Sequence, residues 1–258
     1  MIERKPEDIF LDPRLKNLRQ EYDNYTTEDF QVWRILYERQ YKNLPGAASE
    51  KFMKGLETIG FSADSIANFE EVNKRLAGVT GWGIQVVPGL IDDDLFFSLL
   101  YHKRFPASTW LRKKENLDYL EEPDMFHDAF AHLPLLTDPD YTRFLKDLAA
   151  IALRHIDNPL AIDLLSRIYW YTIEFGLIRE KGQLRIYGAG ILSSAGETKF
   201  CLSEEPQHFP YEVEMVLNTP FWKNKFQDRY FIIEDYASLY TSVPLIEEKL
   251  AGLLEKGD

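Results

Sequence analysis

The sequence is short of cysteine, of long apolar runs and of clustered positive charge, and each shortage removes a class of protein. Its one cysteine, Cys201, has no partner for an internal disulfide, so a small buried hydrophobe in a reducing compartment is expected rather than a disulfide-stapled secreted domain. No run of about 18 apolar residues occurs, and the opening MIERKPEDIF lacks the apolar centre of a signal peptide; a soluble, cytoplasmic chain without a membrane partner is expected. Lys and Arg number 30 against 42 Asp and Glu, a formal charge of -12 with no basic block, which opposes the phosphate-neutralising surface that nucleic acid requires. Internal repeats and low-complexity segments are missing as well. What is present is apolar mass: 45% of 258 residues are hydrophobic, enough for a sizeable core in one compact unit.

Residues 1–24 are polar and mixed in charge and read as a loosely ordered N-terminal arm. From Thr26 the positions Phe30, Trp33, Leu36, Tyr37 and Tyr41 recur at helical spacing until Pro45-Gly46 stops them. Shorter helical patterns, Phe52 to Ile59 closed by Gly60 and Phe69 to Leu76 closed by Gly78, lead to a first strand at Ile84 to Val87. Asp138-Pro139 and Asn158-Pro159 each set a capping residue before a proline, predicting long helices over 139–155 and 159–178. Lys181-Gly182 reads as a hairpin turn, Tyr230 to Ile233 as another strand, and a charged helix follows. The predicted class is α+β, predominantly helical, with small strands at its margins.

Within the predicted second long helix, AIDLLSRIYWYTIEFGLI, Glu174 stands in a stretch that is apolar on nearly every side. Its helical neighbours would be Trp170, Tyr171, Leu177 and Ile178. A carboxylate in such surroundings is protonated, paired with a cation or bound to a metal, because burying it ionised and alone costs several kcal/mol. This segment alone leaves a buried arginine pair and a metal equally open.

The segment EEPDMFHDAFAHLPLL holds His127 and His132 five residues apart. On an α-helix that spacing is offset by about 140°, so the two imidazoles would not share a face. Pro134 disfavours helical geometry at Leu133, and the helix is expected to end near His132, freeing the second ring to swing back to a common ion. The spacing by itself is a weak signal. The zinc motif H-E-x-x-H is absent, and one cysteine excludes a thiolate-rich zinc site. Two histidines with an isolated carboxylate match the facial triad of non-haem Fe(II) oxygenases, although spacing leaves other His/Glu combinations open.

At these same residues the sequence resembles the aromatic amino acid hydroxylases, especially their short bacterial members that act on phenylalanine. DYLEEPDMFHDAFAHLPLL (118–136), IYWYTIEFGLI (168–178) and IYGAGILSSAGE (186–197) carry the likeness, in the family's order and approximate spacing, and weaker similarity runs from about residue 25 to 235. The resemblance implies that residues 25–258 form a single catalytic domain with that family's catalytic-domain fold. It also implies Fe(II), a tetrahydropterin such as tetrahydrobiopterin as electron donor, and O2 used to hydroxylate an aromatic amino acid, phenylalanine giving tyrosine. Tryptophan or another aromatic acid keeps the same chemistry, and a non-catalytic metal- or ligand-binding relative is the alternative of a different kind. An oxygenase dependent on a 2-oxo acid fits less well, because Asp128 follows His127 directly where an H-x-D/E pair is needed.

Carried over position by position, the resemblance makes His127, His132 and Glu174 the iron ligands and catalytic centre. It gives Phe96 a stacking role on the pterin, Gly89, Leu90 and Ile91 backbone contacts to it, and Asp128 a further contact. Arg112 matches the arginine that pairs with the substrate carboxylate, a task suited to a planar guanidinium. Asp124 would orient that arginine, Ser193 would hydrogen-bond on the carboxylate side, and Trp170 and Phe175 would wall the substrate ring. Tyr169 falls near iron-bound water. Departures from the family pattern are Asp128 where animal members have glutamate, Leu120-Glu121 where they have Thr-Pro, and Ala131 in place of the glycine before the second histidine. The methyl of Ala131 is expected to crowd or shift His132. A monomer without the regulatory segment of animal members is expected.

Overall fold

A computed structural model of the chain describes residue 9 and residues 11–118, 120, 122–223 and 225–257. Residues 11–24 form an irregular segment with single 3-10 turns at Pro13–Leu15 and Tyr22–Asn24. Helices α1 (Thr27–Asn43), α2 (Glu50–Ile59) and α3 (Phe69–Val79) follow, then strand β1 (Gly83–Val86), helix α4 (Asp93–Tyr101) and strand β2 (Arg104–Ala107). A π-helix over Phe126–His132 tightens into a 3-10 helix at Leu133–Thr137 and leads to α5 (Pro139–Arg154) and α6 (Pro159–Tyr169). A second π-helix, Trp170–Glu174, continues α6. The hairpin β3 (Leu177–Glu180) and β4 (Gln183–Ile186) precedes the short helices α7 (Ala189–Leu192) and α8 (Ala195–Phe200). Strand β5 (Gln207–Pro210), helix α9 (Val213–Leu217), strand β6 (Arg229–Ile233) and helices α10 (Tyr236–Thr241) and α11 (Val243–Gly257) complete the order.

Local chemistry accounts for most boundaries. Thr26 and Asp29 form a reciprocal capping box at the start of α1, and Ser49, Asn68, Asp138 and Asn158 each accept a backbone N–H at the head of the next helix. Gly60 closes α2 in the left-handed conformation, φ 67°. Lys181 and Gly182 both take positive φ, 52° and 75°, as a two-residue turn between paired Glu180 and Gln183 demands. The buried stripe of α1 is Val32, Trp33, Leu36, Tyr37 and Gln40; Tyr41, predicted on that stripe, is half exposed.

The helix predicted over 159–178 is wrong at its end. It passes into the π-helix at Trp170 and stops at Glu174, while Leu177 and Ile178 are strand residues paired with Ile186 and Arg185 on one side and with Ile232 and Ile233 on the other. Gly176 makes the corner: a Cβ there would meet the Thr172 carbonyl oxygen at 2.3 Å and the Tyr187 ring at 2.1 Å. A run apolar all round suits a buried strand as well as a buried helix, and periodicity alone does not separate them.

The strands form a parallel pair, β1–β2, and a sheet in the order β4-β3-β6-β5, mixed in direction. One apolar cluster runs from Val32 to Leu250 and contains the inward sides of both π-helices. A smaller cluster joins Ile9 and Leu15 to Val87, Leu95 and Leu99. Ile9 and Leu15 of the N-terminal arm are therefore packed against Val87, just past β1, and α4, while Gln20 and Tyr22 bond the segment 66–69. Among the described residues no helix is long and apolar enough to cross a membrane.

Helix α2 crosses directly over the 3-10 turn after His132, and Gly55 makes the approach possible: a Cβ there would lie 2.2 Å from the Pro134 carbonyl oxygen. Gly55→Ala is expected to destabilise the fold by about 1–3 kcal/mol through overpacking. Urea denaturation checks this, and an unchanged midpoint would refute so close a crossing.

Candidate metal centre

The five-residue spacing of His127 and His132 is met by widening the helix. In the π-helix each N–H reaches back five residues instead of four, so residues five apart lie on one side. The expected swing of His132 from a helix end is thus corrected: both imidazoles project from one continuous element. The opposite side of that element is anchored by Phe126 and Phe130, stacked at 4.7 Å and 11°, against Trp33, Tyr37 and Phe52. Glu174 is the last residue of the second π-helix, whose closing bond runs from the Phe175 N–H to the Trp170 carbonyl at 2.8 Å. Gly188 lies across that end; a Cβ on it would be 2.5 Å from the Glu174 carbonyl oxygen.

These elements bring three ligand atoms within 4.8 Å of one another. His132 Nε2 lies 3.1 Å from His127 Nε2 and 3.2 Å from Glu174 Oε1, and His127 Nε2 lies 3.6 Å from Glu174 Oε2. Ser193 Oγ donates to the Ala189 carbonyl at 2.9 Å, so its lone pair takes the His127 Nδ1–H, also at 2.9 Å, and the His127 Nε2 lone pair is left facing the other two residues. Burial pulls the His127 imidazolium down to about 4, with Glu174 opposing and His132 assisting. Burial also opposes ionisation of Glu174, but the charge and hydrogen bond of His132, and then His127, hold its carboxyl below the ordinary value. A neutral His127 beside an ionised Glu174 leaves negative charge and converging lone pairs in a place with little water. Among the described residues Glu174 has no arginine partner; its ion-pair partners are the two imidazoles. The donor set, two imidazole nitrogens and one carboxylate, fits a divalent first-row metal with positions left open.

Arg112 and Asp124 form the neighbouring feature. The guanidinium grips Asp124 through Nε to Oδ2 at 2.9 Å and Nη2 to Oδ1 at 2.8 Å, and the Arg112 backbone N–H adds a third bond to Oδ2 at 3.0 Å. Asp124 Oδ1 also accepts the His127 N–H at 3.1 Å, so the same carboxylate ties the arginine to the first π-helix. Arg112 lines a recess of about 430 Å³ with Tyr25, Trp110, Lys113 and Asn116. Asp128 is buried and accepts the Ser108 N–H at 2.7 Å; burial pushes its carboxyl up to about 7, although that N–H pulls the other way.

Trp170 and Phe175 lie ring to ring at 4.6 Å, and Trp170 stacks on Phe221 at 4.4 Å. Phe96 is one ring further out, 5.4 Å edge-on from Tyr169, whose phenol is held well above its usual range by burial and by Glu174. Gly89, Leu90 and Ile91 occupy the loop before α4; Leu90 is 70% exposed, and Ile91 leans on the small N-terminal cluster. Ser193, expected to hydrogen-bond on the substrate's carboxylate side, bonds the first histidine. Ala131 is fully buried within the main apolar cluster. Glu121 lies outside the described residues.

Sequence reasoning missed the support around these residues. Gln227 accepts the Trp170 indole N–H at 3.0 Å and is itself held by Glu197, a buried carboxylate that also takes the Tyr230 hydroxyl. Phe105 lies 4.6 Å from the His132 ring. Glu197 closes a segment already singled out, and its position three residues after Ser194 was a legible capping pattern; Gln227 carried no signal.

Comparison with known proteins fits this geometry. The profile of the biopterin-dependent aromatic amino acid hydroxylases matches residues 19–250, and the chain belongs to that family. Among curated relatives, phenylalanine-4-hydroxylase of Chromobacterium violaceum is 44% identical over 229 residues, spanning 86% of this chain and 75% of the relative. The phenylalanine-4-hydroxylase of Ralstonia nicotianae is 42% identical over 224 residues, 86% of this chain and 71% of its own length. Crystal structures of the C. violaceum enzyme superpose closely: the form with bound oxidised Fe(III) at a TM-score of 0.90 and 39% identity, covering 98% of this chain and 94% of that one. The form with iron(III) and 7,8-dihydrobiopterin gives a TM-score of 0.88 at the same identity and coverage. The family fold expected from the sequence, helical with small marginal sheets, is the fold observed.

Fe(II) titration of the metal-free protein checks the centre. Ser193→Ala is expected to lower iron affinity by about 10–100-fold by freeing the His127 ring. Glu174→Ala is expected to lose stoichiometric iron altogether. Wild-type iron content in Glu174→Ala would sink the ligand assignment.

Proposed function

We propose that this chain is a phenylalanine 4-monooxygenase that converts L-phenylalanine to L-tyrosine with O2 and a tetrahydropterin at a non-haem Fe(II) held by His127, His132 and Glu174. The observation that carries it is the convergence of those three side chains within 4.8 Å, in a chain belonging to the biopterin-dependent aromatic amino acid hydroxylases. Relatives at 42–44% identity named phenylalanine-4-hydroxylase support phenylalanine as the substrate. When bound, Fe(II) and the pterin supply the electrons that activate O2, and one oxygen atom goes to the ring while the pterin leaves hydroxylated.

The protein's own part is orientation and exclusion of water. His127, His132 and Glu174 hold one face of the metal and leave the other open. Ser193 fixes the His127 tautomer, and Asp124 fixes the helix start on which His127 rides. Arg112, aligned by Asp124, pairs with the amino acid carboxylate through the donors that Asp124 does not use. Trp170 and Phe175 confine the substrate ring, and the bond from Trp170 to Gln227 sets the indole's angle. Phe96 stacks on the pterin, with Gly89, Leu90, Ile91 and Asp128 around it, and Tyr169 stands between that ring and Glu174. Holding the reactants in a near-attack arrangement is worth several kcal/mol of barrier. A cytoplasmic monomer belongs to the same reading, supported by the lone buried cysteine and the family resemblance.

Anaerobic reconstitution with Fe(II), followed by assay with phenylalanine, tetrahydrobiopterin and O2, is expected to give tyrosine in step with pterin consumed. No tyrosine and no pterin consumption would overturn the assignment. Competing phenylalanine against tryptophan in the same assay tests the substrate, with phenylalanine expected to win. Arg112→Lys keeps a cation beside Asp124 but loses the planar fork. It is expected to raise the phenylalanine KM by about 10–100-fold, the loss of a charge-assisted contact, at unchanged iron content.

A further inference from the structure

The N-terminal segment has a task that the catalytic reading leaves unassigned. Its Ile9 and Leu15 are buried against Val87, Leu95 and Leu99, with Leu18 and Ile91 at the edge. This small cluster is separate from the main core and encloses the loop 88–92 from both ends. Arg14 fastens the same junction. Its guanidinium takes Asp12 through Nε and Nη2 at 3.0 and 2.8 Å and both oxygens of Asp94 at 2.9 Å, and reaches Asp92 at 3.4 Å. Asp92 is the residue before α4, yet its side chain makes no capping bond to the helix; it faces Arg14 instead. Helix α4 is therefore gripped between Ile9 with residues 11–18, through Leu95, Leu99 and Asp94, and the Tyr169 ring, through Phe96. An exposed ion pair taken singly contributes about 0–1 kcal/mol, but one planar guanidinium shared by three carboxylates and backed by an apolar cluster fixes a geometry.

We propose that residues 11–18, together with Ile9, are a strap that holds the loop Gly89–Ile91 and helix α4 in the conformation that binds pterin, with Arg14 as its positioning residue. This rests on the reading of Gly89 to Phe96 as the pterin surface. Arg14 touches no reactant; it acts through Asp92 and Asp94 on the backbone that carries Ile91 and Phe96. Release of the strap would let the loop and the first turn of α4 leave the binding conformation, and pterin affinity would fall by the fraction of molecules that remain competent. The three candidate iron ligands lie on the two π-helices and not in the small cluster that the strap forms.

The test uses the iron-loaded full chain as wild type, Arg14→Ala, Arg14→Lys and Asp94→Asn. Calorimetric titration with 7,8-dihydrobiopterin gives binding without turnover, and KM values for tetrahydrobiopterin and phenylalanine, iron content and Tm are measured beside it. Arg14→Ala and Asp94→Asn are expected to weaken dihydrobiopterin binding by about tenfold, as for a loop competent one tenth of the time. The pterin KM should rise in parallel while the phenylalanine KM and iron content stay at wild-type values, and Arg14→Lys should fall between. Wild-type pterin affinity in Arg14→Ala overturns the strap alone, as does an equal loss of pterin and phenylalanine affinity with a lowered Tm, which would mark general destabilisation. Failure of the wild-type protein to bind dihydrobiopterin overturns the pterin surface itself, and the strap with it.

Discussion

Two imidazole nitrogens and a carboxylate face one another across 3.1–3.6 Å in an interior with little water, and the rest of the structure is arranged around that juxtaposition. Without a cation such a group is costly, because each member has lost water and the His132 ring is the one donor facing a carboxylate and a second imidazole. The fold meets the geometric demand with two π-helices, each placing its functional residues where an α-helix could not. A π-helix is held only if its other side is well anchored. Phe126 and Phe130 do this for the first against α1 and α2, and Gly176 and Gly188 let the hairpin close on the end of the second.

The same economy couples the sites. Asp124 serves Arg112 and the His127 backbone with one carboxylate, so a single buried group anchors both. Ser193 turns one hydroxyl into a link between α7 and His127. Trp170 is held by stacking on Phe221, by the tilted ring of Phe175 and by Gln227 at its edge, with Glu197 and Tyr230 behind. Each of these side chains is held by at least one neighbouring polar partner, which is how an orientation survives thermal motion. The loop proposed to meet the pterin differs: it is exposed at Leu90 and borders a small separate cluster through Ile91, where adjustment is easier than in the main core.

Much of this was legible in the sequence where local chemistry decides. Capping residues before proline located α5 and α6, Lys181-Gly182 located the hairpin, and Glu174 announced itself as a carboxylate in apolar surroundings. The histidine pair was legible as a pair but not as a geometry, because its spacing contradicts the α-helical period and the π-helix leaves no periodic trace over so few residues. The end of the predicted helix at 178 failed for a related reason: Leu177 and Ile178 are buried by a sheet whose partner, β6, lies more than fifty residues further on. Ser193 was picked out by resemblance, yet its contact with His127 depends on α7 folding back over the centre.

The sequence by itself therefore determined the chemical inventory: an acidic chain with one cysteine, two histidines five residues apart, one acid in an apolar run, and turn and cap residues that punctuate the helices. These follow from short-range rules, in which a residue and its neighbours within about a turn set the outcome. Only the tertiary structure decided that His127, His132 and Glu174 meet, that Asp124 joins Arg112 to the first of them, and that a polar N-terminal segment clasps α4. Those contacts join residues from 3 to about 80 positions apart through packing and charge, and no local propensity encodes which distant surfaces will bury one another.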